Sequence, residues 1–477
     1  LSYFSYSISL TEKRVFHIAG FIVVALGCGL FTNQIILSDF MEEHQINIRM
    51  FRPMESYQKY GGVLTFARSV GYAVVKKPEG YTTAKVDQII QEYEKKSANE
   101  QQSTVKQYPN IITVVNETFA DIKVLGDFKT NEDYMPYFHS LKKNCVTGYT
   151  YASIVGGQTA NTEFELLTGN TLGFLSAGTT AFQLYIHGQM PSLVSNLKAE
   201  GYSGNKAMHP FNPYNYNRPA VYKDFGFTDF IDKFDFPKNV KRVREYISDE
   251  ANVDRIISEY EKNRKKTDQP FYMYNMTIQN HSPYDKDAAN FKQPIKIESS
   301  KYDAEANRYL NLIKYSDDSL KQLTSYFEKC KEPTIILFLG DHQPRLTDEF
   351  MNKITNGQYQ TWSSEQMMKR YQVPFVIWAN YDIKEQHIEK TSMNYIQSIL
   401  TKTAGVKMTG YQRFLNEVRK EVPTITSQGY WGKNGKFYQI NDKGSPYYGI
   451  IQKYRMIQYN MMFDKKNRRD SFFEVSK

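Results

Sequence analysis

A hydroxyl, two carboxylates and an imidazole stand in this sequence at places where structural elements begin or end. Thr159-Ala-Asn-Thr-Glu-Phe164 opens a helical pattern that continues through Leu167 and stops at Gly169-Asn170. Asn116-Glu117-Thr118 follows one apolar β-type run, and Gly340-Asp341-His342 follows another. Two hard oxygen ligands and one imidazole, from Glu117, Asp341 and His342, suit Mn²⁺, Mg²⁺ or Zn²⁺ better than a soft metal. With the Thr159 hydroxyl as fourth ligand, such an ion would favour the alkoxide, just as it lowers the pKa of bound water from about 15.7 to about 7. The same threonine opens a helix, so backbone N–H groups and the helix dipole would face an incoming phosphate. Gly156-Gly157-Gln158, immediately before it, permits close backbone approach. The chemistry expected is metal-assisted phosphoryl transfer with Thr159 as nucleophile.

These residues need a scaffold that brings strand ends together. Four apolar runs, Ile111 to Val115, Phe271 to Ile278, Thr334 to Leu339 and Phe375 to Trp378, read as strands of a sheet covered on both faces. Helical patterns alternate with them: Leu193, Val194 and Leu197 before Gly201; Tyr309 through Phe327; and Met393 through Leu400. Strand and helix in alternation indicate an α/β fold, whose sites lie beyond the carboxyl ends of the strands. Glu117 and Asp341 each fall two residues past a run.

A chain of 477 residues exceeds what one hydrophobic core usually holds. Residues 1–40 carry an apolar run from Val15 to Leu30, near the lower limit of roughly 17 residues for spanning a bilayer. Lys13 and Arg14 precede it, and Asp39, Glu42 and Glu43 follow, so the remainder is expected outside the cell. The opening at Leu1, without a cleavage motif, reads as a cut inside a longer membrane protein. Residues 41–107 read as a juxtamembrane connector with an amphipathic helix over Thr83 to Lys96, ending in a linker of residues 97–107. Residues 108–423 form the expected catalytic domain, and 424–477 a smaller subdomain with hairpin-like sequence and a helix from Tyr447 to Met462. Three cysteines supply no disulfide framework, and a net charge of +9 with acids scattered among the bases excludes a nucleic-acid stripe. Tyrosine is abundant, at 37 residues, and such rings suit sugar faces and membrane interfaces as well as cores.

The segments around Glu117, Thr159 and Asp341-His342 resemble the lipoteichoic acid synthase family of phosphoglycerol transferases, within the sulfatase and alkaline phosphatase superfamily. The resemblance runs to about residue 415. It implies a sulfatase-like mixed central sheet with helices on both faces, and one metal, usually Mn²⁺, on Glu117, Thr159, Asp341 and His342. It also implies an active-site histidine at His281, in Gln279-Asn-His-Ser-Pro-Tyr284, and a head-group pocket at His209, Tyr216 and Arg218. An Arg there can fork two phosphate oxygens. The implied reaction moves glycerol phosphate from phosphatidylglycerol, through a phospho-threonine, to an acceptor hydroxyl, with His281 donating a proton to the leaving alkoxide.

Tyr216 stands where polymer-making members have Trp, Pro follows His209, and Gln343-Pro344-Arg345 follows the Asp-His pair. In these respects the chain looks more like relatives that decorate a surface polysaccharide than those that extend a teichoic acid. Polyglycerol phosphate synthesis, phosphoethanolamine transfer and a non-catalytic surface-binding module are the alternatives. A sulfatase reaction needs a Cys/Ser-x-Pro-x-Arg setting, which neither Cys145-Val-Thr-Gly nor Cys330-Lys-Glu-Pro supplies.

Overall fold

The computed structural model describes residues 10–37, 53–73, 75–97, 105, 107–357 and 359–475. Asp39, Glu42 and Glu43, and most of the linker at 97–107, lie outside them. Two compact units are present, residues 1–76 with 176–179, and residues 77–175 with 180–477.

In the first unit the apolar run forms a helix, Leu10–Phe31, continued by a π-helical turn over Thr32–Leu37. The polar triplet at Thr32 to Gln34 therefore does not end it. The stretch Arg14–Ile35, 22 residues, is long and apolar enough to cross a membrane, and at about 1.5 Å per residue it measures about 33 Å, against a hydrocarbon core of about 30 Å. Its side chains, Phe21 and Leu26 among them, are exposed. Two short helices, Pro53–Tyr60 and Gly62–Ala73, follow.

The second unit is built on an eight-stranded mixed sheet. Its strands are β1 (Asn110–Asn116), β2 (Cys145–Tyr151), β3 (Ser203–Met208), β4 (Asp229–Ile231), β5 (Phe271–Met276), β6 (Thr334–Gly340), β7 (Gln372–Ala379) and β8 (Gln386–Ser392). Their order is β8-β2-β7-β6-β1-β5-β3-β4, and only β7 runs against its two neighbours. Strands β6, β1, β5 and β3 are parallel, so their carboxyl ends open on one edge. All four expected runs are strands, and β1 and β6 are buried along their whole length, as a sheet covered on both faces requires. On one face Ile112, Val114, Ile336 and Phe338 join a core with the helices Asp249–Arg264 and Ala304–Phe327. The helix Thr159–Thr168 packs against Met393–Thr403.

The helix Thr83–Ser97 and the segment from 424 onward both belong to this unit. Ion pairs tie them together, Lys453 to Glu92 at 2.7 Å and Arg469 to Asp87 at 2.6 Å. A three-stranded antiparallel ribbon, Thr424–Thr426, Gly429–Trp431 and Phe437–Tyr438, precedes the helix Tyr448–Met462. The helix Tyr448–Met462 holds the turn that follows the Thr159 helix: Gln458 exchanges hydrogen bonds with the Thr171 backbone at 2.8 and 2.9 Å.

Candidate metal centre and its surroundings

Strand register brings the two carboxylates together. Asn116 lies opposite Gly340, so the next residue of each strand, Glu117 and Asp341, emerges beside the other. Only glycine fits at 340, because a Cβ there would stand 1.8 Å from the Phe119 carbonyl oxygen. Backbone donors then aim the acids. The Thr118 and His342 N–H groups donate to Asp341 Oδ1 at 2.6 and 2.8 Å, and the Glu117 N–H donates to Thr277 Oγ1 at 3.0 Å. Thr118 Oγ1 donates to Glu117 Oε1 at 2.8 Å.

His342 Nδ1 lies 3.0 Å from the Gln343 carbonyl, which accepts its proton and leaves the lone pair on Nε2. That lone pair faces acids: Nε2 is 3.2 Å from Asp341 Oδ2 and 3.8 Å from Glu117 Oε1. The shorter contact lacks the alignment of a hydrogen bond, so Asp341 Oδ2 and His342 Nε2 are both buried without a partner. Ligand atoms of Glu117, Asp341 and His342 all lie within 4.8 Å of one another. Burial, and then the charge of Asp341, push Glu117 up to about 8. Two buried lone-pair atoms without a partner, beside a third group whose charge burial disfavours, are costly alone, and a divalent cation relieves all three. The residues present fit such an ion.

Thr159 stands at the same point. It is the first residue of its helix, is 7% exposed, and its Oγ1 lies 3.5 Å from Glu117 Oε2. Gly156, Gly157 and Gln158 all have positive φ, at 67°, 140° and 67°, which turns the chain sharply into the helix. The Gly156 N–H donates to the Gln343 carbonyl at 3.0 Å, and Thr162 Oγ1 donates to the Asp341 carbonyl at 2.8 Å. The nucleophile loop and the Asp-His loop are thus fastened to each other.

The remaining expected residues follow β3 and β5 at the same edge of the sheet. His209 follows β3, is buried, and donates from Nδ1 to the Met276 carbonyl at 3.0 Å; burial, with Arg218 and His281 nearby, holds its pKa well below the ordinary value. Tyr216, at φ 60°, lays its ring 5.0 Å from the Arg218 guanidinium and lies within electrostatic reach of Glu117 and Asp341. His281 holds its Nδ1 at 2.6 Å from the Ser282 carbonyl and stacks on Phe211, with ring centroids 6.2 Å apart.

Arg218 is placed differently from the open fork expected for phosphate. It is 1% exposed, and its Nε and Nη2 both donate to Glu163 Oε1, at 3.0 and 2.8 Å. Against the burial that would lower it, Glu163 holds the Arg218 pKa above its ordinary value. Glu163 Oε2 accepts from Tyr274 at 3.1 Å and from Tyr222. Glu163 belongs to the Thr159 motif but had no role assigned from sequence; an acid on a wholly buried helix was the available signal.

A second omission is Arg244. From a tight hairpin at φ 54° its guanidinium donates to the carbonyls of Gln279 (2.9 Å), His281 (2.7 Å) and Pro283 (2.6 Å), gripping the His281 loop. Asp249 supports the same loop from below through the Asp249 N–H on Gln279 Oε1 at 3.0 Å, and accepts from Asn116 at 2.7 Å.

A family model described as Sulfatase matches residues 109–406. The chain belongs to the sulfatase family. Among relatives of this sulfatase-family chain, a "Putative cyclic beta-1,2-glucan modification protein" of Rhizobium meliloti is 30% identical over 433 residues, 89% of this chain and 65% of that protein. "Lipoteichoic acid synthase-like YvgJ" of Bacillus subtilis is 27% identical over 49% of this chain and 36% of that protein. The chain therefore spans less than two thirds of either relative. Among solved structures, the Streptococcus pyogenes phosphoglycerol transferase GacH, in complex with sn-glycerol-1-phosphate, superimposes with a TM-score of 0.68 at 20% identity, over 84% of this chain and 100% of that one. The fold is thus the sulfatase and alkaline phosphatase fold, with the mixed central sheet expected.

Proposed function

We propose that this protein is a membrane-anchored phosphoglycerol transferase that works outside the cell. It would move glycerol phosphate from phosphatidylglycerol to a hydroxyl of a surface polysaccharide. One observation carries the reading: the Thr159 hydroxyl, two carboxylates and an imidazole lone pair meet at one buried point where Asp341 Oδ2 and His342 Nε2 have no partner. Glu117, Thr159, Asp341 and His342 would hold a divalent cation there, Mn²⁺ in this proposal with Mg²⁺ or Zn²⁺ as substitutes, which would supply Lewis acidity favouring the ionised hydroxyl.

Thr159 Oγ attacks the donor phosphorus; the Oγ–P bond forms as the P–O bond to diacylglycerol breaks. The Thr159 proton leaves to solvent, and His281 gives a proton to the leaving alkoxide and regains one from the acceptor hydroxyl in the second step. An acceptor hydroxyl then attacks the glycerophospho-threonine, forming the new phosphodiester and restoring the Thr159 hydroxyl. The N–H groups opening the Thr159 helix would put positive potential beside the phosphoryl oxygens, a contribution of about 10²- to 10³-fold per well-placed donor, and Arg218, its charge paired with Glu163, would support the Tyr216 ring. His209, kept neutral, and Tyr216 line the head-group pocket. The names of the relatives support this assignment, since one is called a "Putative cyclic beta-1,2-glucan modification protein" and another a phosphoglycerol transferase.

The test is exposure of the purified protein to phosphatidylglycerol with Mn²⁺, followed by peptide mass spectrometry. A glycerophosphate adduct on Thr159, absent from Thr159→Ala, is the expected result. Diacylglycerol release by Thr159→Ala at the wild-type rate would refute the nucleophile, and transfer from phosphatidylethanolamine alone would replace the donor.

A further inference from the structure

Two aromatic rings break the pattern of the compact unit. Among its described residues, Tyr214 and Phe234 are the most exposed large hydrophobic side chains, at 80% and 73%. Tyr214 stands on a loop that carries neighbours of two expected site residues, His281 and Arg218, and Phe234 on the loop joined to it. The loop 211–217 starts with Phe211 stacked on His281 and reaches Tyr216 beside Arg218, with Tyr214 turned outward between them. The loop 232–236 is joined to it through Lys233, whose N–H donates to the Phe211 carbonyl at 3.4 Å. The Lys233 ammonium lies 5.9 Å from the Phe211 ring and 5.0 Å from the Phe234 ring.

Neither ring is exposed through slackness of its loop. The Tyr214 N–H donates to Asn212 Oδ1 at 3.2 Å, and the Asn217 N–H returns to the Tyr214 carbonyl at 3.2 Å. Around Phe234, Asp232 and Asp235 form a reciprocal cap, with the Phe234 N–H on Asp232 Oδ1 at 2.7 Å. Rigid, outward-facing rings beside a reactive centre lose little conformational entropy on binding a flat apolar face.

The chemistry of the two loops identifies that face. The segment 211–217, Phe-Asn-Pro-Tyr-Asn-Tyr-Asn, has rings, amides and one proline but no charge. The segment 232–236, Asp-Lys-Phe-Asp-Phe, carries two acids and one lysine. An anionic lipid surface calls for a surplus of basic residues, whereas these two segments together carry one lysine against two acids. A sugar presents C–H groups on its face and hydroxyls at its edge, matching a ring flanked by amides. Resting on the transferase reading, we propose that Tyr214 and Phe234 form the acceptor subsite and that the acceptor is an uncharged oligosaccharide stacked on them.

The experiment uses the full chain and a β-1,2-linked gluco-oligosaccharide as probe, with binding measured by calorimetry and no turnover required. Tyr214→Ala/Phe234→Ala, with an unchanged thermal midpoint, is expected to weaken binding at least tenfold, while Tyr214→Trp stays within about twofold. Equal binding by wild type and double variant, or none by wild type, overturns the subsite. So does a double variant that keeps the glucan but loses co-sedimentation with phosphatidylglycerol vesicles, because the rings then face a membrane. Diacylglycerol release is read separately on the wild type. If the wild type releases none yet binds glucan through these rings, transfer from phosphatidylglycerol fails while the sugar subsite stands.

Discussion

Removing the Glu163 carboxylate should unseat Arg218, and the size of the effect follows from burial. Both side chains are almost wholly inaccessible, at 2% and 0% exposure, and the carboxylate takes two guanidinium N–H groups and two tyrosine hydroxyls. Truncating one partner of such a pair leaves an uncompensated buried charge, which costs about 3 to 5 kcal/mol. Glu163→Gln keeps an acceptor oxygen and loses only the charge, so about 3 kcal/mol is expected. Glu163→Leu also strands the two hydroxyls and should cost about 5 kcal/mol or more. Replacing both partners, in Glu163→Leu/Arg218→Met, removes the stranded charge and should recover at least about 2 kcal/mol relative to the sum of the singles. Urea denaturation of the four proteins, in a double-mutant cycle, measures this directly. Additive losses within about 0.5 kcal/mol would show that the pair carries no coupling and that Arg218 is held by something else.

Other expectations are open to direct measurement. Saturating the centre with Mn²⁺ at about 100 times its dissociation constant should stabilise the fold by about 2.7 kcal/mol, and Glu117→Gln should abolish the rise in thermal midpoint. Gly340→Ala must displace the Phe119 carbonyl, 1.8 Å from the new Cβ, so it should cost about 3 kcal/mol and reduce Mn²⁺ binding as the two loops separate. His139 is raised to about 9 by two acids, Asp121, whose Oδ2 lies 3.8 Å from Nε2, and Asp133, hydrogen-bonded to Nδ1 at 2.7 Å. A raised folded-state pKa gives stability that is complete below about 6.5 and is lost as pH rises through about 9. His139 is 35% exposed, so after discounting for solvent screening the stability difference from His139→Gln should be about 1 kcal/mol at pH 6 and vanish by about pH 10; a pH-independent difference would exclude the ion pair.

Legibility tracks how strongly each element announces its environment. β1 and β6 are continuous β-branched and aliphatic runs because both faces are covered, so they stand out, and with them the residues just past their ends. β3 and β8 do not. β3 reads Ser-Gly-Asn-Lys-Ala-Met and its pairing shifts between Gly204 and Lys206; β8 is a half-exposed edge strand whose pairing to β2 shifts between Ile388 and Thr391. Irregular register erases the two-residue alternation that identifies a strand. The polar residues that aim the centre are equally quiet, because Thr118, Thr277 and Arg244 reach partners distant in sequence, at Asp341, Glu117 and the 279–283 loop. Glu163 was visible as an acid inside a buried helix, yet its partner lies 55 positions away, and no local pattern pairs them.

Register is also where fold and chemistry become one requirement. A slip of one residue between β1 and β6 would move Glu117 about 3.3 Å along the sheet and turn its side chain to the other face, so the two carboxylates could no longer share a cation. The structure guards against that slip from beneath the site. Asn116, the last residue of β1, donates from Nδ2 to Asp249 Oδ2 at 2.7 Å and accepts at Oδ1 from Asn280 at 3.1 Å. Asp249 also receives Ser316 at 2.6 Å, which ties the long helix Ala304–Phe327 to the same point. Asn116 is therefore a register pin: Asn116→Leu should leave the sheet formed but weaken Mn²⁺ binding and slow glycerophosphate transfer to Thr159. Its Asp249→Asn counterpart, which keeps the shape and most of the hydrogen bonds, should do so less. If Asn116→Leu instead bound Mn²⁺ as tightly as the wild type, the hydrophobic pattern of β1 and β6 alone would set the register.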